Sequence, residues 1–333
     1  MPVRTRAVVV VEPNRVELRT VTVPDPEPHE VLARTLVSGI SVGTERHYIT
    51  GAYDRMGERI VQFYPFVTGY QRCAVVERVG SAVEGLREGD RVLMGRSRLV
   101  EADLDAKGRA GHVGYGVLDA TQVYRLPPEA DAEEAALWVM AGVGLHGARM
   151  TSLKAGENVA LIGLGMIGQM AAQAARRRGA QVMAYDRTPR RVTLAAEHSA
   201  DVAMGGDLES FVDAVHRSWN EGADVVVDTS SRVAIWDTCL RLVRREGRIN
   251  LQGYYPGAFS IDSHRAHVHR ATAVFPAGYD DPNGIARVLG ERSLAIKPLI
   301  THRFPAAEAL AGFDLVMRAP QEIVGAVIDW TKQ

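Results

Sequence analysis

The sequence predicts an α/β protein in which a doubly wound parallel sheet is joined to a second, β-rich domain. Residues 1–128 consist of short apolar runs separated by turn residues, and from Asn158 onwards apolar runs alternate with amphipathic stretches. After about Asp280 that alternation ends. With 333 residues the chain is long enough for two domains. We predict that residues 1–143 and 279–333 form the β-rich domain and that residues 144–278 form the parallel-sheet domain.

Strands in the first domain are predicted from alternating or wholly apolar runs that end at turn residues. The runs are RAVVVV, VLARTLVSG, RCAVVERVG and DRVLMG, and the turns are PDPEP, VTGY, REGD and RLPPEA. The segment from Gly95 to Gly111 is polar and contains several glycines, which predicts a long loop. DAEEAALWVMAGVGLHGARM then predicts a helix, because acidic residues favour a helix N-terminus.

The second domain is predicted from strands that alternate with helices, the pattern of a parallel sheet covered on both faces. The predicted strands are NVALIGLG, AQVMAYD, ADVAM, ADVVVDTS, GRINLQG and ATAVFPAG. The helical stretches include IGQMAAQAARRRG and RVAIWDTCLRLVRREG. In the tail, AAEALAGFDLVMR predicts a helix and IVGAVIDW a strand, and we expect both to rejoin the first domain.

Composition and charge exclude several classes of function. The net charge of −1 gives no electrostatic reason to expect nucleic acid or an anionic membrane as a partner. No apolar run approaches the 18 or so residues of a membrane span. The two cysteines, Cys73 and Cys239, are too few for a disulfide framework or a four-cysteine zinc lobe. We expect a cytoplasmic protein that acts on a small-molecule substrate.

The clearest chemical motif is GLGMIG, from Gly163 to Gly168, which lies between an apolar strand and an alanine-rich helix. Gly163 permits the tight turn, Gly165 lets a pyrophosphate approach the backbone, and Gly168 allows the helix to pack closely on the strand. The helix start at Met166 and Ile167 carries partial positive charge towards the phosphates. This context predicts a Rossmann domain that binds a dinucleotide.

Asp186 ends the second strand of that domain, where a carboxylate can accept hydrogen bonds from the adenosine ribose. A carboxylate also repels the 2′-phosphate of NADP, so the sequence favours NAD, with NADP as the alternative. Arg187, Arg190 and Arg191 follow at once and are either solvated residues at a helix start or a cradle for that phosphate. Further cofactor contacts are predicted at the ends of other strands and in the preceding helix, at Thr229, Ser230, Gly253 and Val143.

Several phrases along the chain resemble the medium-chain dehydrogenase/reductase superfamily of zinc-type alcohol dehydrogenases. They are VSGISVGTE, PFVTGYQRCAVVERVGSAVEGLREGDRV, GHVGYGVLDATQVYRLP, LKAGENVALIGLGMIG and ITHRFPAAEALAGFDLV. The nearest subgroup is the bacteriochlorophyllide a dehydrogenase-like group, which resembles this chain in GIS-x-GTE, in GY where zinc enzymes have GHE, and in the final VIDW. The resemblance implies a GroES-like catalytic domain beside the Rossmann domain, and we expect a homodimer or homotetramer.

The positions that bind catalytic zinc in such relatives carry unsuitable residues here. In the pattern G-I-C-G-[ST]-D-x-H-Y the cysteine position is Val42, and a shift of one residue puts Ser41 there. The second zinc motif, G-H-E, is replaced by Gly69, Tyr70 and Gln71. Valine has no lone pair, and neutral tyrosine or glutamine is a poor ligand for Zn²⁺. The loop 95–111, where a structural zinc would bind, has no cysteine, so we expect no metal at either place.

The resemblance implies that a proton relay remains at Thr44 and His47. In zinc relatives the hydroxyl at the Thr44 position contacts the substrate oxygen and passes its proton through the nicotinamide ribose to the histidine. Alternatively, Thr44 stabilises a turn and His47 is a surface or packed histidine. Tyr70 and Gln71 either fill a vacated metal site or polarise the substrate carbonyl in place of the metal.

Other polar residues carry weaker hypotheses. Glu45 and Arg46 are expected to form a local pair, and His146 is expected to be a packed helix histidine. The histidines of SHRAHVH do not share one helix face and are not predicted to bind metal; they are His264, His267 and His269.

These observations predict a zinc-independent, NAD(P)-dependent oxidoreductase that interconverts a secondary alcohol and a ketone on a biosynthetic intermediate. The alternatives are a quinone or enoyl reductase of the same superfamily and a non-catalytic nucleotide-binding protein. Hydride transfer to ketones and to enones would distinguish the three.

Overall fold

The structure is a computed structural model that describes residues 1–52, 64–101, 103–104, 110–255 and 257–332. Its internal contacts define two compact units. The first consists of Met1–Trp138, Pro282–Arg292 and Ile300–Gln333, and the second of Val139–Asp281 and Ser293–Leu299. The segment Ser293–Leu299 belongs with the second unit because the Gln173 side chain both accepts from the Ala295 N–H at 2.7 Å and donates to its carbonyl at 3.2 Å.

The strands of the described residues are, in chain order, β1 (Val3–Glu12), β2 (Arg15–Val23), β3 (Glu30–Ile40), β4 (Phe66–Val67), β5 (Arg72–Val79), β6 (Arg91–Met94), β7 (Tyr115–Asp119), β8 (Tyr124–Arg125), β9 (Asn158–Ile162), β10 (Gln181–Tyr185), β11 (Val202–Met204), β12 (Ala223–Asp228), β13 (Val243–Leu251), β14 (Thr272–Val274), β15 (Ile300–Pro305) and β16 (Gly325–Asp329). The helices are α1 (Val42–Thr50), α2 (Ala132–Ala135), α3 (Trp138–Met150), α4 (Met166–Arg177), α5 (Pro189–His198), α6 (Leu208–Ser218), α7 (Trp236–Leu242), α8 (Ser263–His269), α9 (Pro282–Gly290) and α10 (Ala309–Arg318). Short 3₁₀ turns connect several of them.

The first unit is built from two β-sheets. A three-stranded antiparallel sheet has the order β2-β1-β4, and a seven-stranded sheet has the order β15-β16-β3-β5-β6-β8, with β7 also paired to β3. The tail strand IVGAVIDW is β16, which pairs antiparallel with β3, as in Ala326 opposite Ile40. Fully buried apolar residues such as Val8, Phe66 and Phe313 pack one core of this unit. Strand β3, which directly precedes α1, is therefore paired within the larger sheet of this unit.

The second unit contains a six-stranded, all-parallel sheet with the order β11-β10-β9-β12-β13-β14. Apolar side chains of β9 point alternately to the two faces. Ile162 packs with Phe211 on one face, and Leu161 packs with Ala172 of α4 on the other. Both faces are therefore covered, as the continuous apolar strands predict. The predicted α/β class, with a Rossmann-type parallel sheet and a separate β-rich unit, is confirmed.

Two predicted helices differ from the observed ones. The helix predicted over RVAIWDTCLRLVRREG ends at Leu242, and β13 begins at Val243, because Val243 pairs with Ala223 of β12. Pairing in the sheet outweighs helix propensity at this point. The helix predicted from DAEEAALWVM is divided into α2 and α3.

In the segment predicted as a loop, Arg98 bridges to Val117 and Leu99 and Leu104 are buried. Positions 102 and 105–109 of that segment lie outside the described residues. Within the part of the chain that is described, no helix has the length and apolar character needed to cross a membrane.

Candidate functional site

The turn between β9 and α4 has the geometry of a phosphate-binding turn. Gly163 has φ of +93°, and a Cβ added to Gly168 would lie 1.8 Å from the Gly163 carbonyl oxygen. At Gly165, by contrast, the nearest atom to an added Cβ is an Arg191 nitrogen at 3.9 Å. The outer glycines are therefore required by the fold, and Gly165 leaves open space over the backbone at the start of α4. Met166 and Ile167 form the first turn of that helix.

Asp186 holds this turn in place from the end of β10. Its Oδ2 accepts the Leu164 N–H at 2.7 Å and its Oδ1 accepts the Thr188 N–H at 2.8 Å. A carboxylate oxygen has two lone pairs, so each oxygen can accept one more hydrogen bond. Arg191 lies with Nη1 3.7 Å from Oδ2, whereas Arg187 is exposed. Of the two arginines predicted to contact cofactor, only Arg191 lies at the turn.

The remaining predicted cofactor residues lie at the carboxyl ends of the next strands and in α3. Thr229 follows β12 and donates from Oγ1 to the Gly163 carbonyl at 2.9 Å. The Ser230 and Gly253 N–H groups both donate to Asp228, at 3.2 Å and 3.1 Å. The carbonyl of Val143 accepts a hydrogen bond from Gln252 Nε2 at 2.5 Å. The open turn at Gly165, with the acceptors of Asp186 beside it, fits a dinucleotide.

In the first unit, α1 carries both predicted relay residues, Thr44 and His47, one turn apart. The His47 Nδ1 lies 2.7 Å from the Gly43 carbonyl. A carbonyl only accepts, so Nδ1 carries a hydrogen, and Nε2 is the ring nitrogen that can take up a proton. The helix ends at Gly51, whose φ of 64° is the left-handed conformation that favours glycine.

The Tyr70 phenol lies near the side chains of Ser41 and Thr44, whose hydroxyl groups act to lower its pKa. Although part of the residue reaches the surface, burial of the phenol raises the pKa of Tyr70, and the nearby Glu45 carboxylate raises it further. Tyr70 is therefore a neutral phenol at physiological pH, able to donate a hydrogen bond. Two hydroxyl groups of the α1 segment and the phenol thus form one cluster.

Gln71 is fully buried beside this cluster. Its Nε2 donates weakly to the Gly39 carbonyl at 3.4 Å, and its own carbonyl accepts the Gly39 N–H at 3.2 Å. The amide is thus directed at the backbone of β3.

The residues at the zinc-ligand positions do not fit Zn²⁺. Val42 offers no lone pair, Tyr70 is a neutral phenol, and the Gln71 amide faces the backbone of β3. Across the described ranges, no group of three or more His, Cys, Asp or Glu side chains could hold a metal ion. His264, His267 and His269 all lie on the short helix α8, which has no buried residue.

His146 lies in α3 and interacts with charged residues of the second unit. Its Nδ1 is 3.0 Å from Asp280 Oδ1, to which Arg149 also donates at 2.7 Å. This ion-pair cluster explains the position of His146 without a catalytic role.

The expected pair between Glu45 and Arg46 is wrong. Arg46 is exposed, whereas Glu45 is fully buried and bonded to His112, Thr68 and the backbone N–H of Ser41. His112 was not among the predicted site residues. It lies 67 residues from Glu45, and the only local signal is its place in the quoted phrase GHVGYG.

A glycine turn that fits a dinucleotide and a β-rich unit that carries Thr44, His47 and Tyr70 together fit the class of nicotinamide-dependent oxidoreductases. Comparison with known proteins agrees. Residues 27–130 match the family model of the alcohol dehydrogenase GroES-like domain, and residues 167–289 match the model described as zinc-binding dehydrogenase.

Individual relatives match nearly the whole chain. A sorbitol dehydrogenase of Bos taurus is 30% identical over 340 residues, which cover 92% of this chain and 92% of the relative. An alcohol dehydrogenase of Cupriavidus necator is 26% identical and covers 95% of this chain and 96% of its own. Among solved structures, a short chain alcohol dehydrogenase from Escherichia coli CFT073 complexed with cofactor NADH has a TM-score of 0.84 at 18% identity and covers 98% of this chain and 99% of that one. At that identity the likeness shows the fold alone.

The chain belongs to the medium-chain dehydrogenase/reductase superfamily, in its zinc-type alcohol dehydrogenase-like branch. It is an NAD(P)-dependent enzyme of that class, which confirms the predicted superfamily and the predicted kind of catalyst.

Proposed function

We propose that this enzyme interconverts a secondary alcohol and a ketone without zinc. The observation that carries the proposal is the neutral Tyr70 phenol, which lies near the Ser41 and Thr44 hydroxyl groups at the position of a metal-binding motif. In the reductive direction, NAD(P)H supplies a hydride to the carbonyl carbon. One proton goes to the carbonyl oxygen, and the products are the alcohol and NAD(P)⁺.

Tyr70 is the proposed donor to the substrate oxygen. Ser41 and Thr44 can both donate to the phenolic oxygen, and a phenol that accepts hydrogen bonds becomes a stronger donor itself. A placed donor of this kind stabilises the negative charge that develops on oxygen as hydride arrives. Gln71 has the alternative role of polarising group, but its amide faces the carbonyl of Gly39.

Thr44 and His47 are the proposed path for the proton. Both lie on α1, and the His47 Nδ1–H donates to the Gly43 carbonyl, so Nε2 carries the lone pair of the neutral imidazole. During alcohol oxidation the substrate proton would pass from the hydroxyl cluster to His47. Without a metal to acidify the alcohol, base assistance matters more than it does in a zinc enzyme.

The proposed cofactor is NAD before NADP. Asp186 keeps lone pairs that could accept ribose hydroxyls, and its negative charge would repel the 2′-phosphate of NADP. Arg191, 3.7 Å from Asp186, is the residue that would reduce this preference. Solved neighbours of the same fold include one complexed with NADH and one bound to NADP, so the preference rests on Asp186 alone.

The proposed substrate is a polar secondary alcohol that serves as a biosynthetic intermediate. Relatives named alcohol and sorbitol dehydrogenases support the alcohol, and the sequence resemblance to the bacteriochlorophyllide a dehydrogenase-like group supports the biosynthetic role.

We also propose that the protein is a homodimer or a homotetramer. Strand β14 is an edge strand of the parallel sheet, with two of its three residues exposed. Large apolar side chains around it are exposed, with Phe275 at 59% and Val268 at 52%. A second copy of the chain would cover this edge. Sedimentation of the protein at several concentrations would test the assembly, and a monomer throughout would refute it.

The test of the function is a substrate panel assayed with metal-free protein. NADH oxidation is followed with ketones, quinones and enones after dialysis against a chelator. We expect turnover of ketones, and of the matching secondary alcohols with NAD⁺. Turnover of enones or quinones alone would instead identify a reductase of activated C=C bonds.

A further inference from the structure

A buried polar network lies under α1 in the first unit. Glu45 and His112 are each 0% exposed, and so are Ser38 and Thr68, which bond to them. A carboxylate and an imidazole are taken out of water only at a cost, so such groups must be fully hydrogen-bonded to be tolerated.

Both carboxylate oxygens of Glu45 are in use. Oε1 accepts the backbone N–H of Ser41 at 2.8 Å, and Oε2 accepts the Thr68 hydroxyl at 2.9 Å. The His112 Nε2 lies 3.1 Å from each oxygen and donates to both. Glu45 therefore joins the start of α1 to two other segments of the unit.

The other side of the imidazole is equally well fixed. The His112 Nδ1 lies 2.8 Å from the Ser38 hydroxyl, and Trp330 Nε1 donates to that same hydroxyl at 2.8 Å. Since Ser38 accepts from Trp330, its own hydrogen is available for Nδ1. The backbone N–H of His112 also donates to the backbone carbonyl of Thr68 at 2.9 Å.

The histidine packs directly on the turn that carries Tyr70. Gly69 has φ of +87°, and a Cβ added there would lie 2.6 Å from the backbone nitrogen of His112. A Cβ added to Gly111 would lie 2.4 Å from the backbone nitrogen of Tyr70. The course of the backbone through residues 68–70 therefore depends on where His112 is held.

We infer that Glu45 and His112 are a positioning pair that holds the hydroxyl groups of Thr44 and Tyr70 together. Glu45 is the neighbour of Thr44 on α1, and its partner Thr68 lies two residues before Tyr70. One buried carboxylate thus sets the separation between the helix and the turn. The inference rests on the proposed function, because it assigns the hydroxyl cluster its catalytic importance.

The first variant is Glu45→Gln, which keeps the shape of the side chain. Its amide NH₂ must replace either Oε1, which accepts the Ser41 N–H, or Oε2, which accepts the Thr68 hydroxyl, and in either orientation the His112 N–H keeps only one of its two acceptors. The two segments should therefore shift. A misplacement of about 1 Å can reduce a rate about 100-fold. We expect kcat for ketone reduction to fall about 10- to 100-fold, with the Kd of NADH, measured by fluorescence, unchanged.

Thr68 supplies a gentler pair of variants in case Glu45→Gln fails to fold. Thr68→Val removes the hydroxyl that donates to Glu45, and Thr68→Ser keeps it. We expect Thr68→Val to lower kcat several-fold and Thr68→Ser to have the kcat of the wild type. The matched control is Glu30→Gln, which breaks a half-buried ion pair with Arg98 in the same unit and should leave kcat unchanged.

Double variants separate positioning from general destabilisation. If Glu45 acts through the hydroxyl cluster, Glu45→Gln should lower kcat by a much smaller factor in a Tyr70→Phe background than in the wild type. Full additivity, or a kcat that follows thermal stability equally in Glu45→Gln and Glu30→Gln, would overturn the inference. If Tyr70→Phe and Thr44→Val themselves leave kcat unchanged, it is the proposed function that fails.

Discussion

Tyr70 is the residue whose hydroxyl should matter most to the rate. Tyr70→Phe removes the proposed donor to the substrate oxygen, and loss of one such donor typically lowers kcat about 10²- to 10³-fold. Because the pKa of Tyr70 is raised above the usual tyrosine value of 10.0, kcat for ketone reduction should show no loss from phenol ionisation up to that pH. Steady-state kinetics across pH test both points. Tyr115→Phe, which loses a hydroxyl near Glu77, is the matched control.

His47 and Thr44 should act in series on one proton. His47→Ala should lower kcat for alcohol oxidation about 10²- to 10⁴-fold, with partial recovery in added imidazole. Thr44→Val should also lower kcat with little effect on NAD affinity. The double variant should be little worse than the poorer single one. Near-wild-type rates in both single variants would make these residues scaffold.

Asp186 should set the preference for NAD. Replacing its carboxylate should narrow the affinity gap between NAD and NADP by about 1–3 kcal/mol, the size of a lost charge-assisted hydrogen bond plus relieved repulsion. Asp186→Asn is the more informative variant than Asp186→Ser, because it keeps an acceptor for the Leu164 N–H. Fluorescence titration measures both affinities. A wild-type preference for NADPH would mean that Arg191 dominates.

At the scale of residues, the features that could be predicted are those that depend on spacing within a short stretch of sequence. The glycine turn is fixed by Gly163, Gly165 and Gly168, which are two and three residues apart. Thr44 and His47 lie one helical turn apart. The pair of Glu45 and His112 could not be predicted, because it joins residues 67 positions apart through a sheet whose register no local pattern specifies. Arg46 was the nearer partner in sequence and the wrong one.

At the scale of elements, the β9–α4 turn makes two different demands on its glycines. Gly168→Ala should unfold or distort the second unit, because the added Cβ would lie 1.8 Å from the Gly163 carbonyl oxygen. Gly165→Ala meets open space, with nothing nearer than 3.9 Å, so its melting temperature should be unchanged while NADH binding weakens. Thermal unfolding and NADH titration on both variants separate the roles. A stable Gly165→Ala that binds NADH normally would contradict the assigned approach of the pyrophosphate.

Element types were largely predictable, and element ends were less so. Alternation of apolar and amphipathic runs identified each strand of the parallel sheet. The end of α7 was not predicted because VRREG continues the helical pattern of the preceding residues. In the structure this segment begins β13, which pairs with β12. Pairing partners are set by contacts distant in sequence, which propensity does not contain.

At the scale of the whole molecule, the end of the chain contributes to the site that its beginning builds. Strand β16 pairs with β3, and Trp330, which follows it, donates to Ser38 and so completes the network around His112. The return of the tail to the first unit is therefore part of how Tyr70 and Thr44 are held. This dependence could not be predicted from the sequence, in which Trp330 is only the end of a predicted strand.

The intact protein should work without zinc. Val42 has no lone pair, the Tyr70 phenol is neutral, and the Gln71 amide faces the backbone of β3, so these three positions offer no thiolate, imidazole or carboxylate. Elemental analysis should find well under one zinc per chain, and a chelator should leave kcat unchanged. As a matched comparison, the combined variant Val42→Cys, Tyr70→His and Gln71→Glu should bind zinc that the wild type does not. One zinc per wild-type chain, or activity that a chelator removes and zinc restores, would mean that the hydroxyl cluster assists a metal rather than replacing it.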